Sequence, residues 1–374
     1  MFGFFIAKFR GRFAIPRRSS LQHKSSRRER SSCSRILRLA ALTLSFALIS
    51  AGSLALHIRV RAADAPSYRY FRVGNPNNTL VSTHPGYGLI GGGTDLDEAF
   101  VWLCNRSGGG DFLVIRAGGT DAYNPYVQSL CHVNSVATLI IPGREAANDP
   151  FVARAISSAA AIFIAGGDQA NYINCWRDTP VQLALDDAIH RGIPIGGTSA
   201  GLAVLGEFAY SAQNDPPDGP DLGSPLALAN PFHPQVVIVH GFLEIPELRG
   251  VITDTHFHAR DRLGRTVVFM ARILASSDAR EIHAIGIDPH TAFLLDRGGR
   301  GVVAGTGAAY FFEAATRPAV CRPGAPLTFS TISVRRLVAG EKFNLSKWAG
   351  DGVGYTLSAV SGMLHSSQAN GAIY

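Results

Sequence analysis

Ile193-Pro194-Ile195-Gly196-Gly197-Thr198-Ser199-Ala200-Gly201-Leu202-Ala203-Val204-Leu205 is an apolar run that breaks into glycines, a serine and a second apolar pattern. The pentapeptide Gly197-Thr198-Ser199-Ala200-Gly201 has the G-x-S-x-G form of a nucleophile elbow. Such a turn from strand to helix is so tight that small neighbours are needed. It exposes the serine Oγ beside helix N–H groups that can meet a developing oxyanion. The competing reading is a Gly-rich turn with an incidental serine.

Outward from this stretch, short apolar runs alternate with helical patterns. Strands are expected at Tyr87–Ile90, Phe112–Arg116, Ala137–Ile141, Ala161–Ala165, Ile193–Ile195, Val236–Val239 and Ala284–Ile287. Several end in glycines: Gly91-Gly92-Gly93, Gly118-Gly119 and Gly166-Gly167. Alternating strands and helices predict a mostly parallel sheet, and ligands bind at the carboxyl ends of its strands. The triple glycine fits neither dinucleotide nor P-loop spacing. Beyond Pro318 the pattern changes to period two, at Leu327–Val334 and Tyr355–Val360, which predicts a small antiparallel appendage. Three parts are expected: a leader at 1–65, an α/β hydrolytic domain at 66–315 and a β-rich appendage at 316–374.

The chain of 374 residues is 46% hydrophobic, enough for a sizeable core. Its formal charge of +7 is uneven: residues 1–61 carry 13 Lys or Arg and one acid, so the remainder is at −5. No basic stripe for nucleic acid survives outside the leader. There, arginines at 27, 28, 30, 35 and 38 precede the uncharged run Leu39–Leu56 and the small residues around Ala63. This predicts an export signal, with an uncleaved membrane anchor as the alternative. Cys104, Cys131, Cys175 and Cys321 follow the leader, an even number that suits one or two disulfides of undetermined connectivity.

A serine nucleophile needs a base and an orienting acceptor. The segment Asp254-Thr255-His256-Phe257-His258-Ala259-Arg260-Asp261-Arg262-Leu263-Gly264-Arg265 places a histidine after an apolar stretch, with three arginines close behind. Guanidinium groups there suit a carboxylate-bearing substrate; the alternative is a solvated basic patch. His256, His258 and Asp254, with His283 or His290, also permit a metal-dependent amidase. Three adjacent arginines oppose a divalent cation, and no catalytic metal or cofactor is expected.

Four motifs then occur in order: Gly-Gly-Asp-Gln at 166–169, Gly-Thr-Ser-Ala-Gly at 197–201, Asp-x-His-Phe at 254–257 with its arginines, and Gly-Ile-Asp-x-x-Thr-Ala at 286–292. Together they resemble the cyanophycinase branch of the serine peptidase family that also contains dipeptidase E, over roughly residues 85 to 310. The resemblance implies a flavodoxin-like three-layer α/β sandwich of the class I glutamine-amidotransferase type. It implies Ser199 as nucleophile, His256 as base, and N–H groups of Gly167 and Ala200 as oxyanion hole. Gln169, Asp254, Arg260, Arg262 and Arg265 match pocket positions, with Asp254 or Asp168 facing a substrate guanidinium. The implied substrate is a peptide or cyanophycin-like polymer carrying β-linked Asp-Arg units; a homodimer is a further expectation. Two positions depart from the family: Thr255 stands where a glutamine is usual, and Pro289 where a glutamate would orient the histidine. Asp288 is the nearest substitute acid and Glu281 a more distant one. Loss of that acid suggests an impaired relative that binds Asp- or Arg-rich peptides.

Overall fold

The computed structural model describes residues 66–216 and 219–374. The expected leader and its cleavage or anchor lie outside them. Among the described residues no helix is long and apolar enough to cross a membrane.

Five parallel strands form the centre of a ten-stranded sheet. In spatial order they are Ser135–Ile140, Asp111–Arg116, Ala161–Ile164, Ile195–Thr198 and Gly86–Ile90. Every residue of the first and of the last three is buried. This is why they read as continuous apolar runs rather than as alternation. The strand Asp111–Arg116 shows how the sheet is covered. Phe112 and Val114 join one core with Phe100, Leu103 and Val127 of the helices Asp97–Arg106 and Tyr123–Leu130. Leu113 and Ile115 join another with Val152, Trp176 and Leu185 of the helices Pro150–Ser157, Gln169–Trp176 and Pro180–His190. Period-two alternation sends neighbours to opposite faces. Antiparallel strands complete the sheet: Arg69–Gly74 on one side, then Thr291–Asp296 and Arg300–Gly305 on the other. A disulfide between Cys104 and Cys131 ties the first helix to the end of the second, settling one pairing that spacing left open.

A second sheet has eight strands. At its middle Val251–Asp254 lies parallel to Ile282–Ile287, which pairs antiparallel with Ala308–Ala314. The amphipathic helix Leu263–Ser276 buries Leu263, Val267, Met270 and Leu274 in this sheet's core. The fold is thus α/β with two mixed sheets. The period-two C-terminal residues are strands, but they are built into both sheets rather than appended. Phe329–Val338 continues the second through Ala308–Ala314, and Lys342–Asn344 pairs with Arg300–Gly305 of the first. Composition changes at Pro318; the hydrogen-bond ladder does not stop there.

Candidate active site

Ser199 sits between the strand Ile195–Thr198 and the short helix Ala200–Ala203, at φ 52° and ψ −118°. A non-glycine residue in such a conformation costs about 1–3 kcal/mol, held by its surroundings. Here its N–H donates to Ile90 O at 3.1 Å and its carbonyl accepts from Ala203 N at 3.0 Å. The flanking glycines are sterically required. A Cβ on Gly201 would come within 2.0 Å of Ile164 O, and one on Gly197 within 2.5 Å of Gly201 C. The elbow predicted from the pentapeptide is therefore a true tight turn.

His256 lies two residues past the strand Val251–Asp254. Its N–H donates to Gly91 O at 2.8 Å, and its Nε2 is 2.9 Å from Ser199 Oγ. For Nε2 to accept the serine proton, the ring hydrogen must sit on Nδ1. Phe257 anchors the turn: fully buried, it packs on Tyr310 and Phe312. A side chain of this kind contributes about 1.5–3 kcal/mol when buried. The imidazole rests over Gly92, where a Cβ would lie 2.5 Å from Cε1 and Nε2. A Cβ on Gly91 would meet Asp288 O at 2.1 Å. The triple glycine that fitted no nucleotide loop is the floor under the histidine.

Burial, followed by the positive fields of Arg260 and Arg262, pushes the His256 pKa down from 6.5 to about 4. The imidazole is therefore neutral, the form a base needs, across the physiological range. The acid limb of kcat/KM is accordingly expected near pH 4 rather than near 6.5. Arg260→Gln removes a cation that disfavours imidazolium, so the limb should move to higher pH. A pH–rate profile that stays fixed or moves down would contradict this electrostatic account.

The hydrogen bonds of Asp288, expected as the third member, go to backbone amides. Its Oδ1 accepts from His258 N at 2.8 Å and its Oδ2 from Ala308 N at 3.1 Å. Both oxygens brace the backbone beyond the histidine instead of reaching the ring. Glu281 is diverted too: its Oε1 lies 2.8 Å from His283 Nε2. Among the described hydrogen bonds, the one at the His256 ring is to Ser199.

A cavity of about 230 Å³ opens beside Ser199, lined in part by Gly167, Asp168, Gln169, Ala200, Arg260 and Arg262. The loop of the first motif thus meets the elbow: a Cβ on Gly166 would be 3.5 Å from Ser199 Cβ. Asp168 caps the helix Gln169–Trp176, accepting from Ala170 N at 2.9 Å. Arg260 and Arg262 reach the cavity, but both hold Asp221, whose Oδ2 accepts from Arg260 Nη1 at 3.0 Å and Arg262 Nη2 at 2.5 Å. Burial would raise the Asp221 pKa, but these two guanidinium groups outweigh it and hold the carboxyl below its ordinary value. Thr255 Oγ1 accepts from Arg262 Nη1 at 2.9 Å, so the residue that replaces the family's glutamine orients an arginine.

Asp254 and Arg265, both expected to face substrate, pair with each other, and Arg265 also lines the cavity. Arg265 Nε donates to Asp254 Oδ2 at 2.8 Å and Nη2 to Oδ1 at 2.5 Å. Thr266 Oγ1 and Thr255 N add donors to the same carboxylate at 3.0 and 2.8 Å. Both charged side chains are buried, and the guanidinium that Asp254 holds is that of Arg265. Sequence reading also missed Asp221 and Tyr374. The Tyr374 ring stacks on His258 with centroids 4.3 Å apart, and its hydroxyl bonds Leu263 N and Asp261 Oδ1. Neither residue belongs to a motif.

Residues 116–232 match the sequence profile of Peptidase family S51, which includes the elbow and stops short of His256. The chain is 30% identical over 215 residues to a cyanophycinase of Trichormus variabilis, covering 56% of this chain and 65% of that protein. It is 27% identical over 294 residues to a cyanophycinase of Synechococcus elongatus, covering 72% and 84%. The chain thus spans 65% of the length of the first of these relatives. A crystal structure of a peptidase from an acI-B1 actinobacterium is similar at 19% identity and a TM-score of 0.47, over 70% of this chain and 98% of that one. The family profile and the two cyanophycinases agree with the family that the ordered motifs resemble.

Proposed function

We propose, from the premise that this chain is similar to the cyanophycinase-like peptidases of family S51, that it is a serine-type hydrolase cleaving peptide or isopeptide bonds at β-aspartyl residues. The observation that carries the reading is the 2.9 Å contact between Ser199 Oγ and His256 Nε2 beside a cavity lined by Arg260, Arg262 and Arg265 together with Asp168, Asp215 and Asp221. Ser199 Oγ attacks the carbonyl carbon while His256 Nε2 takes its proton. The N–H groups of Gly167 and Ala200 meet the oxyanion. The imidazolium then protonates the leaving amine, and water hydrolyses the acyl-enzyme by the same route in reverse. No cofactor enters these steps. Arg260 and Arg262 suit a carboxylate of a poly-aspartate backbone, and Asp168 suits an arginine guanidinium. The flavodoxin-like three-layer arrangement belongs to the same proposal and is supported by five parallel strands with helices packed into two cores. Export is supported by the disulfide, since such bonds persist in oxidising compartments.

Incubation with cyanophycin and with a panel of β-aspartyl dipeptides tests the reading. Wild-type protein should release dipeptide or amino acid, and mass spectrometry should find an acyl ester on Ser199. Equal, background release by wild type and Ser199→Ala would overturn it. That outcome would favour a second reading, a relative that binds Asp- or Arg-rich peptides without cleaving them. The observation behind this alternative is Asp288, whose two oxygens are occupied by backbone amides rather than by the histidine.

A further inference from the structure

Away from the serine site, three side chains converge at the opposite end of the strand Ile282–Ile287. Glu281 and His283 flank Ile282 and so share one face of the strand. His283 stands directly across from Glu313 on the strand Ala308–Ala314. One ligand atom from each, two carboxylate oxygens and a ring nitrogen, lie within 4.8 Å of one another. His283 Nε2 is a buried atom 2.8 Å from Glu281 Oε1, in a contact whose alignment falls outside hydrogen-bond geometry. The Trp348 ring covers the imidazole with centroids 3.8 Å apart.

We propose that Glu281, His283 and Glu313 form a divalent-metal site of the zinc class. A metal ion would bind this poorly aligned nitrogen directly while drawing two like-charged carboxylates together. One imidazole with two carboxylates is a donor set zinc accepts, at about 2.0–2.2 Å per bond. Tetrahedral bonds of that length put ligand atoms about 3.4 Å apart. The Glu281 side chain is 47% exposed, and its oxygen, now 2.8 Å from His283 Nε2, can swing outward to admit the ion. Calcium would call for more oxygens and no imidazole. The distance from Glu281 to Asp288 along the strand is about 23 Å at the usual rise. The ion is therefore structural: it clamps the start of Ile282–Ile287 to the end of Ala308–Ala314. This site is independent of the proposed hydrolytic activity.

The test is a zinc titration of the metal-stripped full chain against a chromophoric chelator. Wild type should bind one equivalent and melt at a higher temperature with zinc than without. His283→Ala and Glu313→Gln should each weaken binding at least about tenfold and abolish the zinc-dependent rise. Glu281→Gln is half-exposed and keeps the fold intact, so it should weaken binding while melting like metal-free wild type. The proposal fails if wild type takes up less than one equivalent. It fails equally if all three variants bind as wild type does, or if His256→Ala removes the zinc instead.

Discussion

His256→Ala is expected to lower kcat for the proposed hydrolysis by about three orders of magnitude or more, with an unchanged melting temperature. The serine hydroxyl is a weak nucleophile until a base takes its proton, and the group placed to do so is Nε2 at 2.9 Å. The imidazole is held neutral by burial and by Arg260 and Arg262, so it is ready to accept. Its loss falls mainly on kcat, because the ring touches the nucleophile while the arginines face the cavity. Stability should survive, since Phe257 and the His256 N–H to Gly91 O bond still anchor the turn. Residual turnover would come from binding and the oxyanion donors. A fall of less than about tenfold would mean that another group serves as base.

Asp254→Ala is expected to cost about 3–5 kcal/mol of folding free energy. The carboxylate accepts two bonds from Arg265 and one each from Thr266 and Thr255 N. Removing it leaves a buried guanidinium without its counterion, facing Leu222 O and the Tyr210 and Phe269 rings. Burial alone would raise the Asp254 pKa; Arg265, its hydrogen bonds and Arg262 more than offset this and bring it below the ordinary value. A carboxyl lowered on folding adds stability above its unfolded pKa, and that stability is lost as pH falls through the folded value. Urea titrations at neutral pH would therefore show a lower midpoint for the variant, and the gap should shrink in strong acid. The double variant Asp254→Leu with Arg265→Met should recover much of the loss, because it removes both charges. An Asp254→Ala midpoint equal to wild type would refute the buried pair.

What the sequence carries and what it hides follow from the range of the interactions. The elbow is local: five residues set the turn, and the glycines at 197 and 201 are dictated by backbone atoms a Cβ would strike. The buried parallel strands are legible for the same reason, since burial on both faces writes itself as an apolar run. His256 is marked by the apolar stretch before it and the three arginines behind it, and then by its place in an ordered set of motifs. Asp254 and Arg265 are eleven residues apart, and sequence displays their charges without showing that the chain folds one onto the other. Asp288 looks like the acid next to a lost glutamate, yet its direction depends on Ala308 in the adjoining strand. Asp221 and the disulfide partners are long-range choices of the same kind. The C-terminal strands were recognised as strands, but their partners lie in sheets begun far upstream.

Asp221 has one further consequence. A side chain tethered next to Arg260 and Arg262 behaves as a ligand at an effective concentration on the order of millimolar. An incoming anion does not meet bare guanidinium groups; it exchanges with a resident one. Affinity is then the difference between two ion pairs, not the strength of one. Simple carboxylates below that concentration lose the exchange, and a ligand wins by what it gains elsewhere in the cavity. Selectivity is thus built in as competition within the protein itself.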